Sequence, residues 1–415
     1  MKNTMETAQT IEQGEKIAHS EVRRTRQETS NNKAVSGKIP HVLYVIDQLC
    51  QLGGAERVLL EMIRRLPTDR FRSSLVTFQL EPGLKALENC SSPIQVLPLR
   101  RTYDLGALRT AIQLRDLIRG ENVSIAHTFF ETSDLWAAPI ARLSGCPVLV
   151  SSRRDMGILR TRKHHFAYPI VNRLFDRVLT VSDEVRSYAL NHDHLAPERV
   201  ETLYNGVDLE ALDAKAGADG PPLDLGLKST SRVVSALGNI RHVKGIDVLG
   251  RAAARVSLAY PDAVFLVMGG VLEPETFRSL QALVNSLGIK ENFRFLGAMS
   301  NPYPVLAASE VFCLPSRSEG LSNALIEAMG SRLPCVATRV GGNAEAITDG
   351  VNGFLVESED VDAMTDRLLR LLHDPQLRRG MGQAARQTVE TRFSMSAMMN
   401  RLTGIYDELL AAKNV

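Results

Sequence analysis

The sequence predicts an α/β protein made of two Rossmann-like, doubly wound domains, and three observations carry that expectation. The chain has 415 residues, too many for one ordinary domain when a domain takes about 100 to 200. From His41 onward, short β-branched runs alternate with amphipathic helical patterns, the arrangement that covers a parallel sheet on both faces. The alternation stops once, over 211–231, where Gly, Ala, Asp and the pair Pro221-Pro222 gather, and then begins again.

Residues 1–38 hold no aromatic residue and are rich in Glu, Gln, Thr, Ser, Asn, Lys and Arg, which predicts a disordered tail. Deleting residues 1–36 should leave the melting temperature almost unchanged; a large fall in a thermal scan would show that the tail packs on the body. The first domain, 39–210, draws strands from HVLYVID (41–47), SLVTFQ (74–79), SIAHT (124–128), PVLVSS (147–152) and RVLTVS (177–182). Helical patterns at GGAERVLLEMIRRL and ALRTAIQLRDLIRG lie between them. After the linker at 211–231, the second domain, 232–393, draws strands from RVVSALGN (232–239), AVFLVMGG (263–270), FRFLG (293–297), VFCLPS (311–316), PCVATRV (334–340) and GFLV (353–356). Beyond Asp360 only helical patterns remain. The final one, in 394–415, carries Met398, Leu402, Ile405, Leu409 and Leu410 at helical spacing and should pack back on the first domain.

Composition narrows the function. Forty-nine Lys plus Arg against 47 Asp plus Glu leave a formal charge of +2, so no nucleic-acid partner is indicated and any basic site is local. The five cysteines are widely spaced and lack zinc-ligand patterns, which suits a reducing cytoplasm. No apolar run reaches the length of about 20 that spans a bilayer, and residues 1–38 lack the apolar stretch of a signal peptide. Neither G-x-x-x-x-G-K-[ST] nor G-x-G-x-x-G occurs, which argues against a P-loop ATPase or a nicotinamide dehydrogenase.

The most informative segment is LPSRSEGLSNALIEAMGSRLPCVATRVGGNAEAITDGVNGFLV. Ser322 and Asn323 are good N-cap residues for a helix carrying Ala324 to Met329. Delivered to a cleft by the preceding strand, that helix start presents free N–H groups and a positive dipole end to an anion such as a nucleotide phosphate. Glu319 stands before the helix and Glu327 within it, so one carboxylate sits at the cleft edge and the other about two turns along. Acceptor-only oxygens at both places suit sugar and ribose hydroxyls. Arg241 and Lys244 follow a strand end at Gly238-Asn239 and can neutralise a leaving diphosphate; their other reading is as solvated surface residues. Gly53 and Gly54 open a helix after the first strand, either to let a ligand approach the backbone or to make a tight turn.

On these residues the sequence resembles glycosyltransferase family 4, whose members share the GT-B fold and an E-x7-E element matching Glu319 to Glu327. The resemblance runs from His41 to about Phe393. It includes GGAE (53–56), VSDEVR (181–186), NGVD (205–208), GN-x-R-x-x-KG (238–245) and FLG ending at Gly297. It implies a retaining transfer from a nucleotide-diphosphate-sugar donor to a glycan or lipid-linked acceptor, in cell-surface polysaccharide or glycolipid synthesis of bacterial type. Glu319 would then touch the donor sugar and Glu327 the ribose, Arg241 and Lys244 would hold the diphosphate, and Gly320, Leu321, Ser322 and Asn323 would complete the donor site. No metal or other cofactor is expected. His127 ends a strand where family members often carry a histidine near the donor sugar, but the second histidine of the usual pair is Phe129 here; the other reading is a satisfied strand-end histidine.

From Ser151 to Arg177, Arg153, Arg154, Arg160, Arg162, Lys163, Arg173 and Arg177 face only Asp155 and Asp176. Arg153 and Arg154 become acceptor-side candidates, and the stretch reads either as a contact for anionic membrane or a lipid-linked diphosphate, or as an ordinary solvated face. Asp360-Val361-Asp362 mimics a metal-binding DxD, but Asp360 is better explained as a helix cap. Two rival functions stay open: a GT-B epimerase or hydrolase acting on the same sugar nucleotide, and a noncatalytic scaffold subunit.

Overall fold

The computed structural model describes residues 39–50, 53–81, 87, 90, 92–157, 160–216 and 225–415. The tail at 1–38 and the pair Pro221-Pro222 lie outside the described residues. Within the unit Pro40–Val415 the strands form two parallel sheets. The first has the order β3-β2-β1-β4-β5-β6-β7, with β1 His41–Ile46, β2 Arg72–Thr77, β3 Ile94–Val96, β4 Val123–Phe129, β5 Val148–Arg153, β6 Arg177–Thr180 and β7 Val200–Thr202. The second has the order β10-β9-β8-β11-β12-β13, with β8 Arg232–Leu237, β9 Ala263–Met268, β10 Phe293–Gly297, β11 Val311–Leu314, β12 Cys335–Thr338 and β13 Phe354–Val356. In each sheet the strand order reverses beside the first strand, at β1/β4 and at β8/β11, and the crevice at such a reversal is where open α/β sheets bind ligands.

Helices cover both faces, so the central strands β1, β4, β5 and β9 are buried along their whole length. One face of the first sheet packs on the helix Gly54–Arg65 and on the helix Met395–Lys413, whose Met398, Leu402, Ile405, Tyr406, Leu409 and Leu410 share a core with Tyr44, Leu75 and Ile125. Burial of each such side chain is worth about 1.5 to 3 kcal/mol, so this helix is an integral part of the first lobe.

The stretch 211–231 differs from a plain linker. Its start belongs to a helix, Leu209–Ala216, and Leu212 is buried in the core of the second lobe beside Leu325 and Ile326. Asp213 is bound by both terminal nitrogens of Arg386, at 3.0 and 2.8 Å. Its sequence, LEALDAKA, holds three Ala and no Gly, so local propensity favours the helix that these contacts fix.

The chain crosses between lobes twice, and the crossings lie side by side. Val207 N–H donates to Phe393 O at 2.8 Å, and Met395 N–H donates to Val207 O at 2.9 Å. A Cβ on Gly206 would come within 2.6 Å of Met395 Cα, so only glycine allows this approach.

Candidate active site

The second lobe supplies a lysine and a glutamate that lie far apart in sequence. After β8 the chain turns through His242–Lys244 into Gly245, which has φ 62° and on which a Cβ would lie 2.0 Å from Pro315 O. This close approach sets Lys244 against the loop leaving β11. Its Nζ donates to Glu319 Oε1 at 2.6 Å, and Ser316 Oγ donates to the same oxygen at 2.6 Å. The lysine stem packs along Gly238, 3.6 Å from where its Cβ would be, and Asn239 Oδ1 accepts from Gly270 N–H at 3.0 Å. Gly297 ends β10 at φ 74°, and its carbonyl accepts from Gly269 N–H at 2.8 Å. Arg241 stands apart from this pair. Its Nε points to Glu273 Oε1 at 3.4 Å, and its side chain is 43% exposed.

The helix Asn323–Gly330 starts directly after Glu319. Ser322 caps it, its Oγ accepting from Leu325 N–H at 3.4 Å, and the neighbouring Leu321 is buried. The Gly-Gly turn after β12 braces this start: Gly342 N–H donates to Gly320 O at 2.7 Å, and a Cβ on Gly341 would meet Glu319 O at 1.8 Å. Glu327 lies within the helix, and burial pushes its carboxyl up to about 7 despite the pull of Arg57 and Lys215.

The first lobe meets this helix through amides. Asn323 Nδ2 donates to Gly54 O at 3.1 Å, Asn205 Nδ2 donates to Asn323 Oδ1 at 2.6 Å, and Arg154 Nη2 donates to Asn205 Oδ1 at 2.7 Å. Gly53 is the N-cap of the helix Gly54–Arg65, with the Glu56 carboxylate folded back to within 2.6 Å of where a Cβ would stand. Burial lowers the Arg154 guanidinium to about 10, against the opposing pull of Glu56 and Asp155. Farther along the same seam, Glu345 accepts from Asp183 N–H at 2.8 Å and Glu184 N–H at 2.9 Å, capping the helix Asp183–His192 from across the cleft. Asn205 and Glu345 were missed as contacts in the sequence, although NGVD and GGNAE marked their places.

Three sequence expectations are corrected. His127 does not line the cleft: it is fully buried, with Nδ1 2.7 Å from the Tyr406 hydroxyl and Nε2 2.8 Å from Ser152 Oγ. Burial, helped by Arg154, drives its pKa down to about 3, so it is a neutral core histidine. Arg153 likewise leaves the solvated basic face, its terminal nitrogens bonded to Asp134 Oδ2 at 2.5 Å and Asn172 Oδ1 at 2.8 Å and its guanidinium stacked on Tyr168, although it still lines a small pocket at the end of β5. Arg160 leaves the basic surface too, since it pairs with Asp193 Oδ1 at 2.7 Å and its side chain is 3% exposed. Arg162 and Lys163 remain exposed, on a helix that also presents Phe166 and Ile170 to solvent. Asp360 caps the helix Val361–His373 through Ala363 N–H.

Two doubly wound lobes that meet at their strand ends over a Lys–Glu pair and a helix start define a GT-B glycosyltransferase. The folds of solved structures agree: the glycosyltransferase from Rickettsia africae ESF-5 has TM-score 0.79 at 19% identity, covering 90% of this chain and 99% of its own. Anabaena HepE in complex with UDP and glucose has TM-score 0.78 at 20% identity, covering 88% and 99%. In sequence, the family described as Glycosyltransferase Family 4 matches residues 52–211 and that described as Glycosyl transferases group 1 matches 224–388. The N-acetyl-alpha-D-glucosaminyl L-malate synthase of Bacillus anthracis is 31% identical over 74% of this chain and 80% of its own. The UDP-Gal:alpha-D-GlcNAc-diphosphoundecaprenol alpha-1,3-galactosyltransferase of Escherichia coli is 26% identical over 87% of this chain and 95% of its own. This chain belongs to glycosyltransferase family 4.

Proposed function

We propose that this glycosyltransferase moves a sugar, with retention of its anomeric configuration, from a nucleoside-diphosphate sugar to a glycan or lipid-linked acceptor in the making of a cell-surface polysaccharide or glycolipid. The observation that carries the donor class is the Lys244–Glu319 pair at the start of the helix Asn323–Gly330. A diphosphate arriving there meets a cation and free helix amides, and Lys244 has two N–H groups left after Glu319. UDP as the nucleotide is supported by the UDP and glucose bound in HepE, and a lipid-linked acceptor by the diphosphoundecaprenol substrate in the name of the Escherichia coli relative.

In the transfer, the bond from sugar C1 to the β-phosphate oxygen breaks while the acceptor oxygen bonds to C1 on the same face. The acceptor proton passes to the departing phosphate oxygen. Lys244 and the helix amides stabilise the charge gathering on the diphosphate, so no metal is needed, and a chelator should leave the rate unchanged. A donor screen by nucleotide release, with and without crude lipid or glycan acceptors, tests the reading. Free nucleotide appearing beside unmodified acceptor would favour the epimerase or hydrolase alternative, and an inverted anomeric signal in the product would end the retaining mechanism.

Peripheral contact with an anionic membrane belongs to the same proposal, at the cytoplasmic face. Among the described residues no helix is long and apolar enough to cross a membrane. The helix Arg162–Val171 presents Phe166 and Ile170, 80% and 69% exposed, next to Arg162 and Lys163. The helix Leu105–Gly120 packs on the same sheet face and presents Leu105, Leu108 and Ile112 beside Arg109. Changing Arg162, Lys163 and Phe166 together to Ser should weaken binding to anionic vesicles while sparing nucleotide affinity, and salt should mimic the charge part. A parent protein that ignores such vesicles would remove the membrane contact.

A further inference from the structure

We infer that a small pocket at the carboxyl ends of β4 and β5 anchors a single hydroxyl group of the acceptor, and that the acceptor is therefore an uncharged sugar or polyol where it enters the first lobe. The inference rests on the transferase reading above and adds the chemistry of the group received. Glu131, Asp134, Arg153, Arg154, Asp155 and Arg160 line the pocket, which has room for about one water molecule.

Its hydrogen-bonding groups are unevenly used. The terminal nitrogens of Arg153 are taken by Asp134 and Asn172, and Nη1 of Arg160 by Asp193. The Nε–H of both arginines is buried and finds no acceptor, although both side chains are only 3% exposed. Two orphaned donors on buried charged groups call for an oxygen. The pocket is also lined by carboxylates: Glu131 Oε1 stands 3.6 Å from Arg160 Nε, outside hydrogen-bond range, and among the described residues Asp155 Oδ1 accepts from Gly157 N–H alone, at 2.6 Å. Burial first, then the nearby Asp155, pushes the Glu131 carboxyl upward.

The occupant must therefore accept from N–H and donate to carboxylate. A phosphate offers only acceptors, is repelled by Glu131, Asp134 and Asp155, and exceeds the space. An ammonium offers only donors and faces three guanidinium groups. A hydroxyl does both and is the size of water. Phe130, which enters the pocket wall directly after β4, is held at φ 72°, a left-handed conformation that bulky side chains avoid and that clusters at functional sites. The donor side is adjacent. The carbonyl of Arg154 would lie 2.3 Å from a Cβ on Gly320, the residue after Glu319, so a hydroxyl held here brings the rest of its ring against the donor-sugar position.

The test uses the full chain, the donor found by nucleotide release, and n-octyl glucoside, n-octyl galactoside, n-octyl glucuronide and n-octyl phosphate as probes. The neutral glycosides should be glycosylated in preference to the two anionic probes. In a deoxy series of the better glycoside, loss of one particular hydroxyl should raise KM at least about tenfold with the parent enzyme. Glu131→Gln and Asp155→Asn should each raise the KM of the full glycoside and shrink that deoxy penalty, with UDP affinity by calorimetry unchanged as the control for folding. Preference for glucuronide or phosphate would overturn the inference. So would an unchanged KM in both variants, which would mean that the pocket holds a structural water only. Failure to transfer from any nucleoside-diphosphate sugar would instead remove the transferase reading itself, and this inference with it.

Discussion

Lys244→Ala and Glu319→Ala are each expected to cut sugar transfer by well over about tenfold, because each removes a charged contact worth roughly 1.5 to 3 kcal/mol. Their signatures should differ. In the proposed donor site Lys244 would face the diphosphate, whose charge grows as the glycosidic bond breaks, so its loss should lower turnover and also weaken binding of free nucleoside diphosphate. Glu319 would act on the sugar in the same proposal, so its loss should harm transfer and leave nucleoside diphosphate binding nearly intact. Since the two side chains share a 2.6 Å contact, the double variant should lose less than the two single losses combined. Parent-like turnover in both single variants, with the fold intact by circular dichroism, would break the site assignment and move the noncatalytic reading ahead.

Gly341→Ala should be nearly as damaging without touching a charged group. Gly341 sits at φ 51° with no room for a Cβ, which would overlap the carbonyl of Glu319 at 1.8 Å. The substitution therefore forces the Gly-Gly turn and the Glu319 loop apart, on top of about 1 to 2 kcal/mol for the left-handed conformation. A fall in kcat of at least about tenfold is expected. Gly350→Ala is the matched comparison, because Gly350 has φ 77° but open space around it. It should pay the conformational cost as a lower melting temperature and keep its transfer rate. Equal kcat losses in the two variants would show that strain alone, and not displacement of Glu319, is responsible.

The parallel sheets were legible because their central strands are continuous apolar runs between amphipathic helices. The short edge strands β3 and β7, three residues each, went unread because IQV and VET carry polar residues and are mostly not buried, whereas the equally short β13 is the apolar, buried run FLV. The helix Leu209–Ala216 was hidden for a different reason: its eight residues, LEALDAKA, are good helix formers, but the Gly and Pro that follow marked the whole stretch as a connector. His127 shows the limit at the site. In a sheet covered on both faces no polar alternation tells which strand-end side chains reach a cleft and which meet a covering helix, and the partner that settles it, Tyr406, is 279 residues away. The basic run at 151–177 misled in the same way. Its counter-charges Asp134 and Asp193 lie outside the run, so a local count of sign could not find Arg153 and Arg160 already neutralised. The donor side was easier to read, since Ser322, Asn323 and Glu327 are set by one local helix start, whereas Asn205 and Glu345 work across lobes.

The helix Met395–Lys413 makes the core of the first lobe wait for a late part of the chain. A ribosome completes both sheets before it reaches Met395, at about 5 to 20 residues per second. Until then the face of the first sheet that carries Tyr44, Leu75 and Ile125 lacks the helix that shares its core, and that apolar surface is open to water, to chaperones and to other nascent chains. The second lobe, encoded later, closes its own core by Phe393 and can be finished first. The first lobe thus cannot complete its core until the helix Met395–Lys413 has been made.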